Sequence, residues 1–147
     1  MKIKITRIDK SQQEYLEIFC HSESGEVRDI IGFVQSREGS LTGYDDDRRC
    51  PVPITEIYYI EAVDNRVFIY TKDKTYESRA KLYELEEALR GKRFLRASKQ
   101  TLLNIMKINS VKPALNGRFA ALLMNGEQVI ISRKYVPDLK KALIGGE

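Results

Sequence analysis

The sequence has no tryptophan, a single histidine and only two cysteines among its 147 residues. Cys20 and Cys50 stand far apart in a chain without a secretion signal, so we expect two reduced thiols rather than a disulfide or a zinc site. His21 adjoins Cys20 in a stretch that predicts a strand, a setting typical of a structural or surface histidine. The usual ligands of a metal site and the usual bases of an active site are therefore scarce.

Enzyme motifs are also missing. The chain contains no phosphate-binding loop, no nucleophile elbow and no zinc-protease motif. Ser98-Lys99 and Ser132-Arg133 are adjacent pairs, and neighbours on a strand point to opposite faces, which disfavours a serine–lysine dyad. The run 45–47 of three aspartates lacks further carboxylates at calcium-loop spacing and favours a solvated connector. The sequence predicts no catalytic residue, no cofactor and no metal.

No stretch approaches the ~20 apolar residues that a membrane span requires. The first ten residues, MKIKITRIDK, alternate charge and isoleucine and do not resemble a signal peptide. We therefore expect a cytoplasmic protein of bacterial origin with no membrane partner.

Acidic residues are absent between Glu87 and Glu127, where eight lysines and arginines fall. The net charge of +4 thus hides a division, because residues 1–87 carry a net −5 and residues 88–147 a net +9. Solvated surfaces usually intersperse both signs, whereas a one-signed block is typical of a protein that binds a polyanion. The alternative is a basic face that serves only solubility.

The first 44 residues predict a small α/β unit. KIKITRI and YLEIFCH alternate and indicate strands, and the apolar spacing between Ser24 and Arg37 predicts an amphipathic helix with Ser24 as N-cap. The proline-punctuated stretch 45–51 is the best candidate for a linker to a second domain that spans 52–147.

From Ile54 onward the pattern is mainly β. Short β-branched and aromatic runs are separated by Asp64-Asn65 and by KDK at 72–74, both of which predict hairpin turns. One helix is predicted over RAKLYELEEALRG, with Gly91 at its end. Further strands are expected at FLRAS, INSVKPAL, RFAALLM and QVIIS. A last helix would carry Val136, Leu139 and Leu143 on one face, with Pro137 in its first turn. We predict a mainly β fold with few helices, preceded by the small α/β unit.

Two turns in the basic half combine small and hydrogen-bonding residues. Asn116-Gly117-Arg118 and Asn125-Gly126 suit tight turns, and a loop tip of this kind can enter a DNA groove. Ordinary hairpin chemistry by itself explains the Asn-Gly pairs, and the two interpretations are compatible.

Three segments together resemble the LytTR family of bacterial DNA-binding domains. They are ITEIYYIEAVDNRVFIYTKDKTYESRAKLYELEEAL, FLRASKQTLLNIMKI and NGEQVIISRKYVPDLKKAL, and the resemblance covers about residues 52–147. It implies a mostly β fold whose loops, rather than a recognition helix, enter successive major grooves. It also implies a stand-alone transcription regulator that binds paired direct repeats of double-stranded DNA as a homodimer or as two adjacent protomers.

The resemblance also implies roles for single residues. Ser98 and Lys99 would form the first contact site, with Ser98 where many family members have histidine, and Asn104 would brace that loop. Asn125 would lie in a second DNA-facing loop, and Arg133 would contact a phosphate while Tyr135 packs. The full set of DNA-binding candidates is Arg96, Ser98, Lys99, Gln100, Asn104, Asn116, Arg118, Asn125, Arg133, Lys134 and Lys140.

Two other functions stay open on the sequence alone. One is binding of RNA or single-stranded nucleic acid, which would require exposed aromatic rings for base stacking. The other is a protein-interaction module whose basic face meets an acidic partner. The acidic first 44 residues are expected to serve dimerisation or effector sensing.

Overall fold

The computed structural model describes residues 1–36 and 38–143, which contain ten strands and three α-helices. Seven strands form one large sheet in the order β2-β1-β5-β4-β3-β7-β6, in which all neighbours are antiparallel. These strands are β1 Ser40–Asp45, β2 Arg48–Pro53, β3 Ile57–Val63, β4 Arg66–Thr71, β5 Thr75–Ser78, β6 Phe94–Ser98 and β7 Thr101–Asn104.

Tight turns set the register of the central hairpin. Asp64 and Asn65 both have positive φ, at 51° and 63°, as a two-residue turn between twisted antiparallel strands requires. The turn pairs Val63 with Arg66 and Ile60 with Ile69. The hairpin predicted from Asp64-Asn65 is thus confirmed.

A second, smaller sheet follows, in the order β10-β9-β8. Its strands are β8 Ile108–Pro113, β9 Phe119–Leu123 and β10 Gln128–Ile131. Helix α3 (Val136–Leu143) ends the described chain, with Pro137 in its first turn as predicted. Val136 and Leu139 are buried, but Leu143 is exposed, so only two members of the predicted stripe pack inward.

The large sheet separates two hydrophobic cores, because successive side chains of a strand point to opposite faces. Helix α2 (Leu82–Ala88) covers one face, and its leucines pack on Ile57, Ile60 and Leu102. The small sheet and α3 cover the other face, where Leu103 meets Ile131 and Leu139. The mainly β architecture predicted from the sequence is confirmed.

The N-terminal unit differs from its prediction. Helix α1 (Gly25–Ser36) is present, and the Ser24 hydroxyl accepts from the Val27 amide at 3.4 Å as an N-cap. Arg37, where the predicted helix ends, lies outside the described residues. The strands predicted at 2–8 and 15–21 are wrong, since neither segment joins a sheet. Alternation marks a segment able to be a strand, but pairing requires a partner.

The predicted linker at 45–51 is also wrong. These residues belong to the hairpin of β1 and β2, in which Leu41 pairs with Val52 and Asp45 with Arg48. Leu41 and Val52 are buried in the same core as α2. Proline did not exclude a strand here because β2 is an edge strand, where a missing N–H costs no ladder bond.

Cys20 and Cys50 are both free. No helix within residues 1–36 and 38–143 has the length and apolar character to cross a membrane. In the same ranges, no three histidine, cysteine, aspartate or glutamate side chains cluster in a way that could hold a metal ion.

Gly43 is a point of close approach in the large sheet, and it gives a test of the packing. A Cβ built there would lie 2.8 Å from both Tyr76 Cβ and Val52 Cγ2. We expect Gly43→Ala to lower the free energy of unfolding by about 1–3 kcal/mol, because the crowded atoms belong to packed strands. Urea denaturation measures this difference.

Gly32 in α1 provides the matched control. Its added Cβ would lie 3.7 Å from Arg93 Cδ, an ordinary contact. Gly32→Ala should leave stability unchanged or raise it by up to about 1 kcal/mol through helix propensity. Equal stability of the two variants would contradict the packing described around Gly43.

Candidate nucleic-acid interface

Two loops meet at one end of the small sheet. In its antiparallel register, Phe119 lies opposite both Pro113 and Ile131. The loop 114–118 and the segment 132–135 therefore leave the sheet at the same end. The Ser132 amide donates to the Ala97 carbonyl at 2.7 Å, which fixes this end beside the last residues of β6.

Gly117 brings the first loop against Arg133. Asn116 and Gly117 both have positive φ, 62° and 74°, which turns the chain sharply at the loop tip. A Cβ at Gly117 would lie 2.9 Å from Arg133 Cδ, so the arginine stem crosses the space that glycine leaves open. Arg118 Nε donates to the Leu115 carbonyl at 3.0 Å and holds its guanidinium on the same loop.

Helix α3 and its preceding turn add two more cations. Lys140 Nζ lies 5.1 Å from the centre of the Phe119 ring, and Lys134 Nζ lies 5.5 Å from that of Tyr135. These rings support the lysine stems while the ammonium groups stay in solvent. Lys112, opposite Ala120 in β8, is also exposed.

We call this region the basic end, and its exposed cations are Lys99, Lys112, Arg118, Arg133, Lys134 and Lys140. None of the ion pairs in the described part of the chain involves any of them. An uncompensated cluster of this kind attracts anions from solution.

Arg96 differs from these cations because its charge is neutralised. Its guanidinium donates to both oxygens of Glu86, at 3.1 and 3.2 Å, and to the Lys99 carbonyl. The side chain is only 19% exposed. Arg96 thus holds the loop that carries Lys99 against α2.

The loop 98–101 presents Lys99 and Gln100 to solvent. Ser98 Oγ accepts from the Gln100 amide at 3.2 Å, and the Gln100 carbonyl accepts from the Ala62 amide at 2.8 Å. A register shift between Arg96 and Ser98 makes the strand irregular where the loop begins. The backbone is fixed while the two side chains remain exposed.

Asn104 is 3% exposed and lies too deep for a direct contact with a ligand. Its amide nitrogen donates to the Ile57 carbonyl at 2.8 Å, and its oxygen accepts from the Met106 amide at 3.0 Å. This corrects its inclusion among the DNA-contacting candidates. Asn104 braces the junction of β3 and β7 at the end of β7 where it pairs with Phe94, away from the loop 98–101 that the family resemblance implies it braces.

Asn125 lies away from the basic end. The hairpin of β9 and β10 runs about 14 Å from Phe119 to Leu123, and Asn125 follows at its far turn. There the Asn125 oxygen accepts from the Glu127 amide at 3.1 Å. Burial, followed by a hydrogen bond with Glu127, raises the pKa of the Tyr59 hydroxyl well above its ordinary value. Asn125 therefore lies beside the Glu127 carboxylate, at the turn away from the basic end.

The DNA-binding candidates predicted from the sequence fall into two groups according to their position. Ser98, Lys99, Gln100, Asn116, Arg118, Arg133, Lys134 and Lys140 gather around the basic end, while Arg96, Asn104 and Asn125 do not present free groups there. Lys112 was missing from the candidate set, although it belongs to the acid-free block that drew attention to this half of the chain.

Similarity to known proteins identifies the family of this chain. The family model of the LytTr DNA-binding domain matches residues 47–144. The chain belongs to the LytTR family. A solved LytTr DNA-binding domain of a Bacillus cereus methyl-accepting/DNA response regulator is 26% identical, with a TM-score of 0.67, and the match covers 72% of this chain and 97% of that one.

Two curated relatives of different kinds are also similar to this chain. The sensory transduction protein LytT of Bacillus cereus is 33% identical over 92 residues, 63% of this chain but 37% of that protein. The chain thus aligns with little more than a third of that relative. An uncharacterised HTH-type transcriptional regulator of Staphylococcus aureus is 25% identical over 145 residues, 97% of this chain and 98% of its own length.

Residues 1–36 and 38–143 of this LytTR chain do not contain the helix-turn-helix motif in that relative's name. A helix-turn-helix requires two helices joined by a short turn. Across residues 1–36 and 38–143, strands separate each α-helix from the next. The exposed cations of the basic end lie on loops, on short turns, on strand β8 and on helix α3.

The bracing role of the Asn104 side chain can be tested by substitution. We expect Asn104→Ala to lower the free energy of unfolding by about 1–3 kcal/mol, because it leaves the buried Ile57 carbonyl without its donor. Thermal or urea unfolding measures the loss. Asn125→Ala, a matched change at an outer turn, should stay within about 0.5 kcal/mol of the parent. An equal loss in both variants would argue against the bracing role.

Proposed function

We propose that this LytTR protein is a cytoplasmic, sequence-specific transcription regulator that binds double-stranded DNA. It reads paired direct repeats through loops in the major groove, with two protomers on each operator. The observation that carries the proposal is the basic end, where six exposed cations share one region and lack acidic partners within the described residues.

Phosphates are the natural partners of these cations. Lys99, Arg118, Arg133, Lys134 and Lys140 come from three separate segments, so they can follow a curved backbone rather than a single point charge. Arginine can pair with a phosphate bidentately, and lysine acts as a flexible point charge. These contacts would supply most of the affinity and fix the orientation of the protein.

Base recognition falls to the uncharged side chains at the loop tips. Ser98, Gln100 and Asn116 are small or flexible polar groups next to the phosphate-binding cations. Amide side chains can pair with adenine edges and hydroxyls with several bases. Arg96 would act indirectly, since its bonds to Glu86 and to the Lys99 carbonyl hold the reading loop. Asn125 lies at the far turn of β9 and β10, so it could contact DNA only on a different stretch of the duplex from the one bound by the basic end.

Duplex DNA is favoured over single strands by the state of the aromatic rings. Phe119 and Tyr135 at the basic end are half-buried, with Lys140 and Lys134 near their rings. Sequence-tolerant binding of single strands depends on exposed rings on which bases stack. Competition between duplex and single-stranded oligonucleotides for the protein distinguishes the two partners.

Salt dependence gives the first quantitative test. If about five cations contact phosphates, the affinity for duplex DNA should fall several-hundred-fold between about 50 and 200 mM salt. Lys99→Ala should reduce the slope of log K against log salt by about one contact. Fluorescence anisotropy of a labelled operator, chosen by selection from a random duplex library, measures both values.

Lys72→Ala is the matched control for that measurement. Lys72 is also an exposed lysine, but it follows Thr71, which pairs with Ile57 at the far end of β3 from the Lys99 loop. Its removal should leave the slope unchanged. A parent protein with no salt dependence, or identical slopes for the two variants, would overturn the proposed contact surface.

Gly117→Ala tests the loop pair at the basic end. The new Cβ would displace the Arg133 side chain from a position 2.9 Å away, so we expect weaker binding and a reduced salt slope. Gly91→Ala is the control, because Gly91 also has positive φ, 78°, but a Cβ there would meet nothing within 4 Å. Both variants should lose similar stability, about 1 kcal/mol, from the left-handed backbone. Equal DNA affinity in the two would show that Arg133 is not a contact.

A further inference from the structure

Leu115 is the most exposed large apolar side chain within residues 38–143. It is 77% exposed, whereas the next most exposed one in that range, Tyr83, is 63% exposed. A single exposed leucine is by itself ordinary on a protein surface. The position of Leu115 is what gives it meaning, because it lies in the loop 114–118 at the basic end.

Hydrogen bonds hold this loop in one shape. The Ala114 amide donates to the Arg118 carbonyl at 2.8 Å, and the Arg118 amide donates to the Leu115 carbonyl at 3.3 Å. The same Leu115 carbonyl accepts from Arg118 Nε at 3.0 Å. Asn116 and Gly117, between these residues, have the left-handed backbone that closes the turn. Leu115 therefore presents its side chain to solvent from a fixed position.

The surface around Leu115 is polar and positively charged. Lys112 precedes it in β8, and Asn116 and Arg118 follow it in the loop, all of them exposed. None of the ion pairs within residues 1–36 and 38–143 includes Lys112 or Arg118. A partner that covers Leu115 also meets these cations, so it must combine an apolar group with negative charge.

Duplex DNA offers this combination in its major groove. The C5-methyl group of thymine is the apolar group that a base pair presents there, between two strands of phosphates. The loop 114–118 is the tip of the hairpin of β8 and β9, in which Pro113 pairs with Phe119 next to the loop. The major groove is about 12 Å wide and admits a two-stranded ribbon of this kind. Leu115 at the tip can then reach a methyl group while the neighbouring cations pair with phosphates.

We propose that Leu115 packs on the C5-methyl group of a thymine in the major groove, so that the loop 114–118 selects thymine at one position in each repeat. This contact rests on the proposed function, because it requires the basic end to bind duplex DNA. Asn116 is the next residue, and an asparagine side chain can pair with an adenine edge. The tip of the loop is therefore expected to lie over A·T base pairs.

Replacement of thymine by uracil tests the contact, because uracil lacks only the methyl group and keeps every hydrogen-bonding atom. The operator selected from a random duplex library is synthesised as a series, each member with one thymine replaced by uracil. Fluorescence anisotropy then measures the affinity of the full chain for each member. One replacement in each repeat should weaken binding by the parent protein about three- to fivefold, the effect of burying one methyl group.

Leu115→Ala should abolish this sensitivity. At the position found with the parent protein, the variant should bind thymine and uracil operators within about 1.5-fold of each other, which completes a double-mutant cycle. Its salt slope should equal that of the parent, because leucine contacts no phosphate. Its thermal unfolding should also be unchanged, since Leu115 belongs to neither hydrophobic core.

Met124→Ala is the matched control. Met124 is also a large apolar side chain, 61% exposed, but it lies in the turn between β9 and β10, away from the basic end. This variant should keep the loss of affinity that uracil causes in the parent. Equal sensitivity of Leu115→Ala and Met124→Ala to uracil would overturn the contact. A parent protein that binds the operator but tolerates uracil at every position would overturn it as well.

5-Methylcytosine tests whether the methyl group alone is recognised. At the position identified with uracil, a cytosine·guanine pair and a 5-methylcytosine·guanine pair differ by one methyl group. The methylated operator should bind the parent about three- to fivefold more tightly and Leu115→Ala no more tightly. No gain in the parent would contradict the contact. A parent that binds no duplex DNA at all would instead refute the proposed function, and this contact with it.

Discussion

The packing of the small sheet on the large one determines where every loop of the candidate interface lies. Leu103 and Ala97 of the large sheet meet Ala121, Leu123 and Ile131 of the small sheet in a single core. This apolar contact, together with the bond from the Ser132 amide to the Ala97 carbonyl, joins segments that are more than thirty residues apart in the sequence. Without it, the loop after β6 and the segment before α3 would have no fixed relation.

The distribution of net charge over the surface depends on which basic residues are paired with acidic ones, as well as on the number of basic residues. Glu77 pairs with Arg66, and Asp45 with Lys74, within the large sheet. Such exposed pairs contribute little to stability. They do, however, neutralise charge on that part of the surface. The same neutralisation at Arg96, by Glu86, separates a cation that shapes the interface from the cations that remain free to bind.

Local signals in the sequence predicted most of this fold, and contacts between distant residues account for the rest. Asp64-Asn65 and Asn116-Gly117 marked turns because few other residues accept a left-handed backbone. Strand β1 was missed because Ser40–Asp45 contains Gly43 and runs into an aspartate cluster, and β7 because all four of its residues are buried without alternation. The N-terminal strands were predicted from alternation alone, which cannot tell whether a partner strand is present.

The candidate site, too, could be predicted from the sequence only in part. Counting charged residues identified the basic half, because net charge is a sum over the sequence and does not depend on the fold. It could not reveal that Arg96 is neutralised by a residue ten positions away on α2, or that Asn104 points into the interior. Whether a cation is free depends on the fold.

Strand β1 lies between β2 and β5 in the large sheet, although the family match begins only at residue 47. A fragment that begins at residue 47 would keep β2 but lose its only neighbour, and it would leave β5 as a bare edge. Unpaired edges of this kind recruit other chains and lead to aggregation. A piece of this protein that keeps all seven strands of the large sheet therefore begins no later than residue 40.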